Sequence, residues 1–124
     1  MDTRDSLSET VIGAAIEVHR MMGPGLLESI YQKCMEIELR FRGCPVEPQA
    51  RVPLVYKGVP LGEDLVMDLY FPSRLVVELK AVEKIAPVHE AQLLSYLKLS
   101  RTKYGLLMNF NVPTLVQGLR RMAN

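Results

Sequence analysis

Asp64-Leu65-Val66-Met67-Asp68-Leu69-Tyr70-Phe71, followed after Pro72-Ser73-Arg74 by Leu75-Val76-Val77-Glu78-Leu79-Lys80-Ala81, decides the fold. In the first run Leu65, Met67, Leu69 and Phe71 share one face; in the second, Leu75, Val77, Leu79 and Ala81 do. A period of two with a short Pro-Ser-Arg connection predicts two antiparallel strands. If both apolar faces meet the same core, paired residue numbers must sum to an even value, because a one-residue slip turns one strand inside out. The tightest hairpin pairs Phe71 with Leu75. It sets Asp68 across from Glu78, with Cβ atoms about 4.5–5.5 Å apart, and puts Lys80 on the same face.

Outward from this hairpin the remaining elements follow. Leu7, Val11, Ile12, Ala15, Ile16, Val18 and Met22 recur at helical spacing until Gly23-Pro24-Gly25. A second helix runs through Leu26, Ile30, Cys34, Ile37 and Phe41 toward Gly43 and Pro45. Alternation of Val52, Leu54 and Tyr56 predicts a strand ending in a turn at Lys57-Gly58. Downstream, Ala86–Leu99 reads as a helix, Tyr104–Phe110 as a buried strand and Pro113–Met122 as a closing helix with Pro113 near its first position. The order is ααβββαβα. A helix between the third and fourth strands is long enough for a crossover, so the last strand should lie parallel to the third in a mixed four-stranded sheet flanked by helices. The fold class is α/β, one domain over residues 1–124.

The bulk properties exclude several classes. The chain has 124 residues, 48% of them apolar, with 15 Lys and Arg against 14 Asp and Glu. A near-neutral balance means that any attraction to phosphate must come from a local patch. No apolar run reaches the roughly 20 residues of a membrane span. The start Met1-Asp2-Thr3-Arg4-Asp5 is not followed by a signal-peptide core, so a cytoplasmic location is expected. Cys34 and Cys44 have no second pair and no clustered histidines, which predicts two reduced thiols.

Two facing carboxylates repel unless a cation lies between them or one is protonated. Hard divalent ions such as magnesium favour one or two carboxylates with water and phosphate oxygens completing the shell. Lys80, two residues beyond Glu78, can offset charge on a phosphate or orient a water. Alone, a Glu-x-Lys triplet is weak, since chance places one in roughly four of ten chains this long. The plain alternative is an exposed ion pair of small consequence. Val66, Tyr70 and Val76 on the same face, with helices flanking the sheet, argue for partial cover.

At these residues the sequence resembles a known family. Gly25-Leu26-Leu27-Glu28-Ser29-Ile30-Tyr31 is similar to the motif that names the GxxExxY proteins. Val77-Glu78-Leu79-Lys80-Ala81, Ala91-Gln92-Leu93-Leu94-Ser95-Tyr96-Leu97 and Leu107-Met108-Asn109-Phe110 are similar to that family's other signatures. These proteins look like small members of the PD-(D/E)XK nuclease superfamily, with its restriction-endonuclease-like fold. The resemblance implies that Asp68 and Glu78 are metal-binding acids and Lys80 the signature lysine, although Met67 stands where the signature has Pro. It further implies that Gln92 and Tyr96 form the Gln-x-x-x-Tyr element of RecB-like nucleases, and that Glu28 is the acid many members carry on an early helix.

The supporting residues have structural alternatives. Glu28 in a first helical turn is favoured by the helix dipole alone. Tyr31 serves core packing as readily as substrate contact. His89, Gln92 and Tyr96 fall on one helical stripe, where inward polar groups need partners. His19 and His89 read more readily as structural. Lys84, Lys98, Arg101 and Lys103 are the candidate phosphate contacts, with Arg120 and Arg121 a further pair, against the alternative of a solvated charged face.

The expected function is a nuclease using Mg2+ or Mn2+ to hydrolyse phosphodiesters, with DNA ahead of RNA, through a metal-activated water. Asp68, Glu78, the Leu79 carbonyl and Glu28 would hold the ion; Asp68, Glu78, Lys80 and Glu28 would act in catalysis, and Gln92 and Tyr96 would position substrate. The alternatives are an inactive nucleic-acid or protein-binding module that keeps the fold, and a structural homodimer.

Overall fold

The computed structural model describes residues 5–124. Met1–Arg4, which enter the reading of the N-terminus above, lie outside the described residues. The elements are α1 (Ser6–Met22), α2 (Glu28–Phe41), β1 (Glu47–Tyr56), β2 (Val59–Phe71), β3 (Leu75–Lys80), α3 (Pro87–Ser100), β4 (Tyr104–Asn109), a 3-10 turn (Leu115–Gly118) and β5 (Leu119–Ala123). Five strands form one sheet in the order β1-β2-β3-β4-β5; β3 and β4 are parallel and the other neighbours antiparallel. The α/β class and the mixed sheet are as expected.

Two expectations need correction. The closing helix over Pro113–Met122 is absent: only one 3-10 turn forms, and Leu119–Ala123 pairs with β4 as a fifth strand, Met108 opposite Leu119 and Tyr104 opposite Ala123. Without β5 the N–H and C=O groups on that edge of β4 would be unpaired, and sheet pairing outweighs a weak helical pattern interrupted by Gly118. Gly118 itself lies against Asn109, where any Cβ would strike the Asn109 carbonyl oxygen. The second correction concerns Met67. Leu69 and Phe71 do join the core beneath α1 and α2, whereas Met67 packs on the opposite face with Val76, Leu93, Leu97 and Leu107. Strand β2 therefore changes face at Asp68, for reasons given below.

The larger core joins Leu7, Val11, Ala15 and Val18 of α1 and Tyr31, Met35 and Leu39 of α2 to Leu69, Val77, Leu79, Leu106 and Met108 of the sheet. Helix α1 starts at Asp5, whose carboxylate accepts the Ser8 N–H at 2.7 Å and is held below its ordinary pKa by that bond. On the other face α3 settles Leu93 directly over Gly105. Strands β1 and β2 form a longer hairpin than the alternation predicts, closed by Lys57 and Gly58, both with positive φ. Since β2 is antiparallel to β3, its first residues extend past the Lys80 end of the sheet. Among the described residues no helix is long and apolar enough to cross a membrane.

Candidate active site

Leu69 pairs with Val77 and Phe71 with Leu75, the register expected from alternation. One step further it sets Asp68 opposite Glu78, and there the regular ladder stops. In its place the Asp68 main-chain N–H donates to Glu78 Oε2 at 2.7 Å, and the Leu79 N–H donates to Asp68 Oδ2 at 2.8 Å. Each carboxylate thus bonds the opposing strand. The Asp68 carbonyl accepts Gln32 Nε2 at 2.8 Å, so its main chain is held by side chains rather than by a strand partner. This local departure is where β2 switches face, and it explains why Met67 and Leu69 lie in different cores.

Gln49 completes the surroundings of Asp68. Its Nε2 donates to Gln32 Oε1 at 2.9 Å and makes a longer contact with Asp68 Oδ1 at 3.4 Å. Gln49 sits inside β1 with φ of 51°, left-handed backbone that costs a side-chain-bearing residue roughly 1–2 kcal/mol. The β1–β2 pairing passes from Pro48 and Leu69 to Ala50 and Met67, and omits Gln49 and Asp68.

Glu78 is 3% exposed. Burial, and then the negative charge of Asp68, push its carboxyl up to about 8. Asp68 is also raised, chiefly by burial, against the lowering effect of the Leu79 N–H and Lys80. Lys80 Nζ donates to Gln92 Oε1 at 2.9 Å, and Gln92 Nε2 donates to the Tyr96 hydroxyl at 3.0 Å. The Tyr96 phenol is raised by burial and by the charges of Glu78 and Asp68. Asp68, Glu78, Lys80, Gln92 and Tyr96 therefore form one cluster between the sheet and α3.

Glu28 is the exposed first residue of α2, and its charge bears on both Asp68 and Glu78. Among the described residues no group of three or more His, Cys, Asp or Glu stands close enough to hold a metal. The two facing acids fit a hard divalent cation nonetheless. One oxygen of each accepts a main-chain N–H; of the other two, Asp68 Oδ1 takes only the 3.4 Å contact from Gln49, and a cation would favour the ionised forms that burial disfavours. For Leu79 the structure shows its N–H bonded to Asp68 and its pairing with Met108.

Tyr31 is fully buried, stacked on Phe110 with ring centroids 4.5 Å apart. Its hydroxyl donates to the Gly23 carbonyl at 2.6 Å and accepts the Leu26 N–H at 3.1 Å. It pins the turn that brings the chain into α2 at Glu28. His19 bonds the Val112 carbonyl at 2.8 Å, and His89 Nδ1 accepts the Ala86 N–H at the start of α3. Both histidines fasten main chain.

The proposed phosphate contacts are not assembled into one patch. Lys84 is exposed in the connection leaving β3 at its Lys80 end. Lys98, Arg101 and Lys103 lie where α3 ends and β4 begins. Because Val76 pairs with Gly105 and Lys80 with Asn109, that end is removed from Lys80 by about 13 Å of strand. Arg120 and Arg121 project to opposite faces of β5, toward Glu90 of α3 and Glu9 of α1 respectively.

Gln32 and Gln49 escape the sequence reading, and Asn109 enters it only within the signature Leu107-Met108-Asn109-Phe110, without a role. Asn109 is buried, and its amide bonds both the N–H and the carbonyl of Val82 at 3.0 and 2.8 Å, tying down the chain just past Lys80. Gln32 left a signal, a polar residue among the buried positions Tyr31, Met35 and Leu39 of α2.

Comparison with known families bears on the chain as a whole. The model of the PD-(D/E)XK nuclease superfamily matches residues 5–122. The chain belongs to the PD-(D/E)XK nuclease superfamily. No curated protein and no solved structure matches it. In this chain Asp68 and Glu78 lie on β2 and β3, Lys80 closes β3, and α3 supplies Gln92, which accepts from it.

Proposed function

We propose that this chain hydrolyses phosphodiester bonds of nucleic acid, with DNA as the first substrate to test, in a Mg2+- or Mn2+-dependent reaction. The observation that carries the reading is the reciprocal engagement of Asp68 and Glu78 beside a lysine held by Gln92. Asp68 Oδ1 and Glu78 Oε1 would hold the cation, with the Leu79 carbonyl and Glu28 as further donors. A bound divalent ion would polarise a phosphate oxygen and acidify water. Lys80, steadied by Gln92, orients the water that attacks phosphorus as the ester P–O bond breaks and offsets the growing phosphate charge. Tyr96 supports Gln92. Lys84 contacts phosphate near the acids; Lys98, Arg101 and Lys103 contact a more distant stretch of the same strand. We assign this chemistry to one domain working in the cytoplasm.

The test is cleavage of single-stranded, duplex and branched DNA and RNA with Mg2+ or Mn2+. The reading expects hydrolysis that Glu78→Ala and Lys80→Ala abolish. Intact substrates throughout, or variants that cut like the parent, would overturn it, and salt-dependent binding without turnover would favour an inactive binding module.

A further inference from the structure

We infer that Gln49, acting with Gln32, is a positioning residue that sets the geometry of Asp68 for cation binding; the inference rests on the proposed function. Every polar atom of Asp68 has a defined partner, and two of the four partners are these glutamines. Gln32 holds the main-chain carbonyl, Gln49 holds Gln32, and the second N–H of the Gln49 amide turns toward Asp68 Oδ1. That oxygen is the one left free of main-chain bonds by the engagement with Leu79.

The backbone supplies an independent argument. Gln49 occupies left-handed φ in the interior of an edge strand, where neither glycine nor asparagine is present to make that conformation easy. Its side chain is exposed, so core packing does not account for the conformation. The feature that accompanies it is at Asp68: the ladder omits this pair, β2 changes face there so that Met67 and Leu69 lie in different cores, and the Asp68 carboxylate accepts the Leu79 N–H across the strand. Strain held at one residue is balanced by order at the acid beside it. Groups that orient a metal-holding carboxylate typically change metal affinity by about 10–100-fold when removed.

The experiment separates positioning from scaffolding by measuring two quantities on the full chain. Gln49→Gly removes the amide and suits the left-handed backbone, so its thermal midpoint should stay within about 3 °C of the parent. Its Mn2+ affinity, read by electron paramagnetic resonance of free Mn2+, should fall about 10-fold. Gln49→Asn, which tolerates the same φ but carries a shorter amide, should also bind more weakly. Mn2+ binding equal to the parent in both variants would overturn the inference and leave the proposed site standing. A fall in midpoint of ten degrees or more in both would also overturn it, by assigning Gln49 a structural role. If the parent takes up no more Mn2+ than Asp68→Asn does, the proposed site itself fails, and the role of Gln49 with it.

Discussion

The Asp68 main-chain N–H donates to the Glu78 carboxyl group at 2.7 Å, so a strand ladder ends in a side-chain bond where a backbone partner would stand. That single substitution brings two acids together at the end of the β2–β3 pairing. It also removes Glu78 from water, and the raised pKa of both acids follows from the same geometry.

Without divalent cation, stability should fall as pH rises. Glu78 has a folded pKa of about 8 against 4.5 in the open chain, so the folded state retains a proton that the unfolded state gives up. This contribution is fully present below about pH 4.5 and is lost as pH passes through about 8. Thermal unfolding in chelator should show Glu78→Gln gaining on the parent by several degrees between those limits. A constant difference across the range would contradict the assigned burial.

Lys80→Ala should lower cleavage by about 100-fold or more, with the far-ultraviolet circular dichroism unchanged. Gln92→Leu, which leaves the ammonium without its acceptor, should cost about 10-fold under the same conditions. Initial rates on a labelled oligonucleotide check both.

Tyr31→Phe should destabilise the protein by about 1–3 kcal/mol, measured in urea, because the Gly23 carbonyl and the Leu26 N–H lose their shared partner. Unchanged stability would show that the turn before α2 holds without this hydroxyl.

Gly118→Ala should cost about 3 kcal/mol in the same urea measurement, since the added methyl meets the Asn109 carbonyl and Asn109 in turn secures Val82. A closing helix over Pro113–Met122 would instead gain from the same change, so the sign of the effect distinguishes the two.

The register of β2 and β3 was legible because apolar residues alternate on both strands and the Pro72-Ser73-Arg74 connection leaves little freedom. The pairing of Asp68 with Glu78 follows from that arithmetic alone. Strand β5 was not legible: Leu115, Leu119 and Met122 fit a helical spacing, and only the unpaired edge of β4, a property of the assembled sheet, selects the strand. The face change at Asp68 was hidden for a related reason. It coincides with positive φ at Gln49 on the neighbouring strand, and no residue type in Glu47-Pro48-Gln49-Ala50 announces a left-handed turn of the chain inside a strand. Gln92 and Tyr96 were recognisable from one stripe of α3, whereas the separation of Lys84 from Lys98, Arg101 and Lys103 needed the parallel β3–β4 register.

Calorimetric titration of Mg2+ into the parent and into Asp68→Asn addresses the central claim most directly. The account predicts saturable uptake by the parent, with proton release near neutral pH as Glu78 ionises, and no uptake by the variant. Superimposable traces from the two proteins would contradict it.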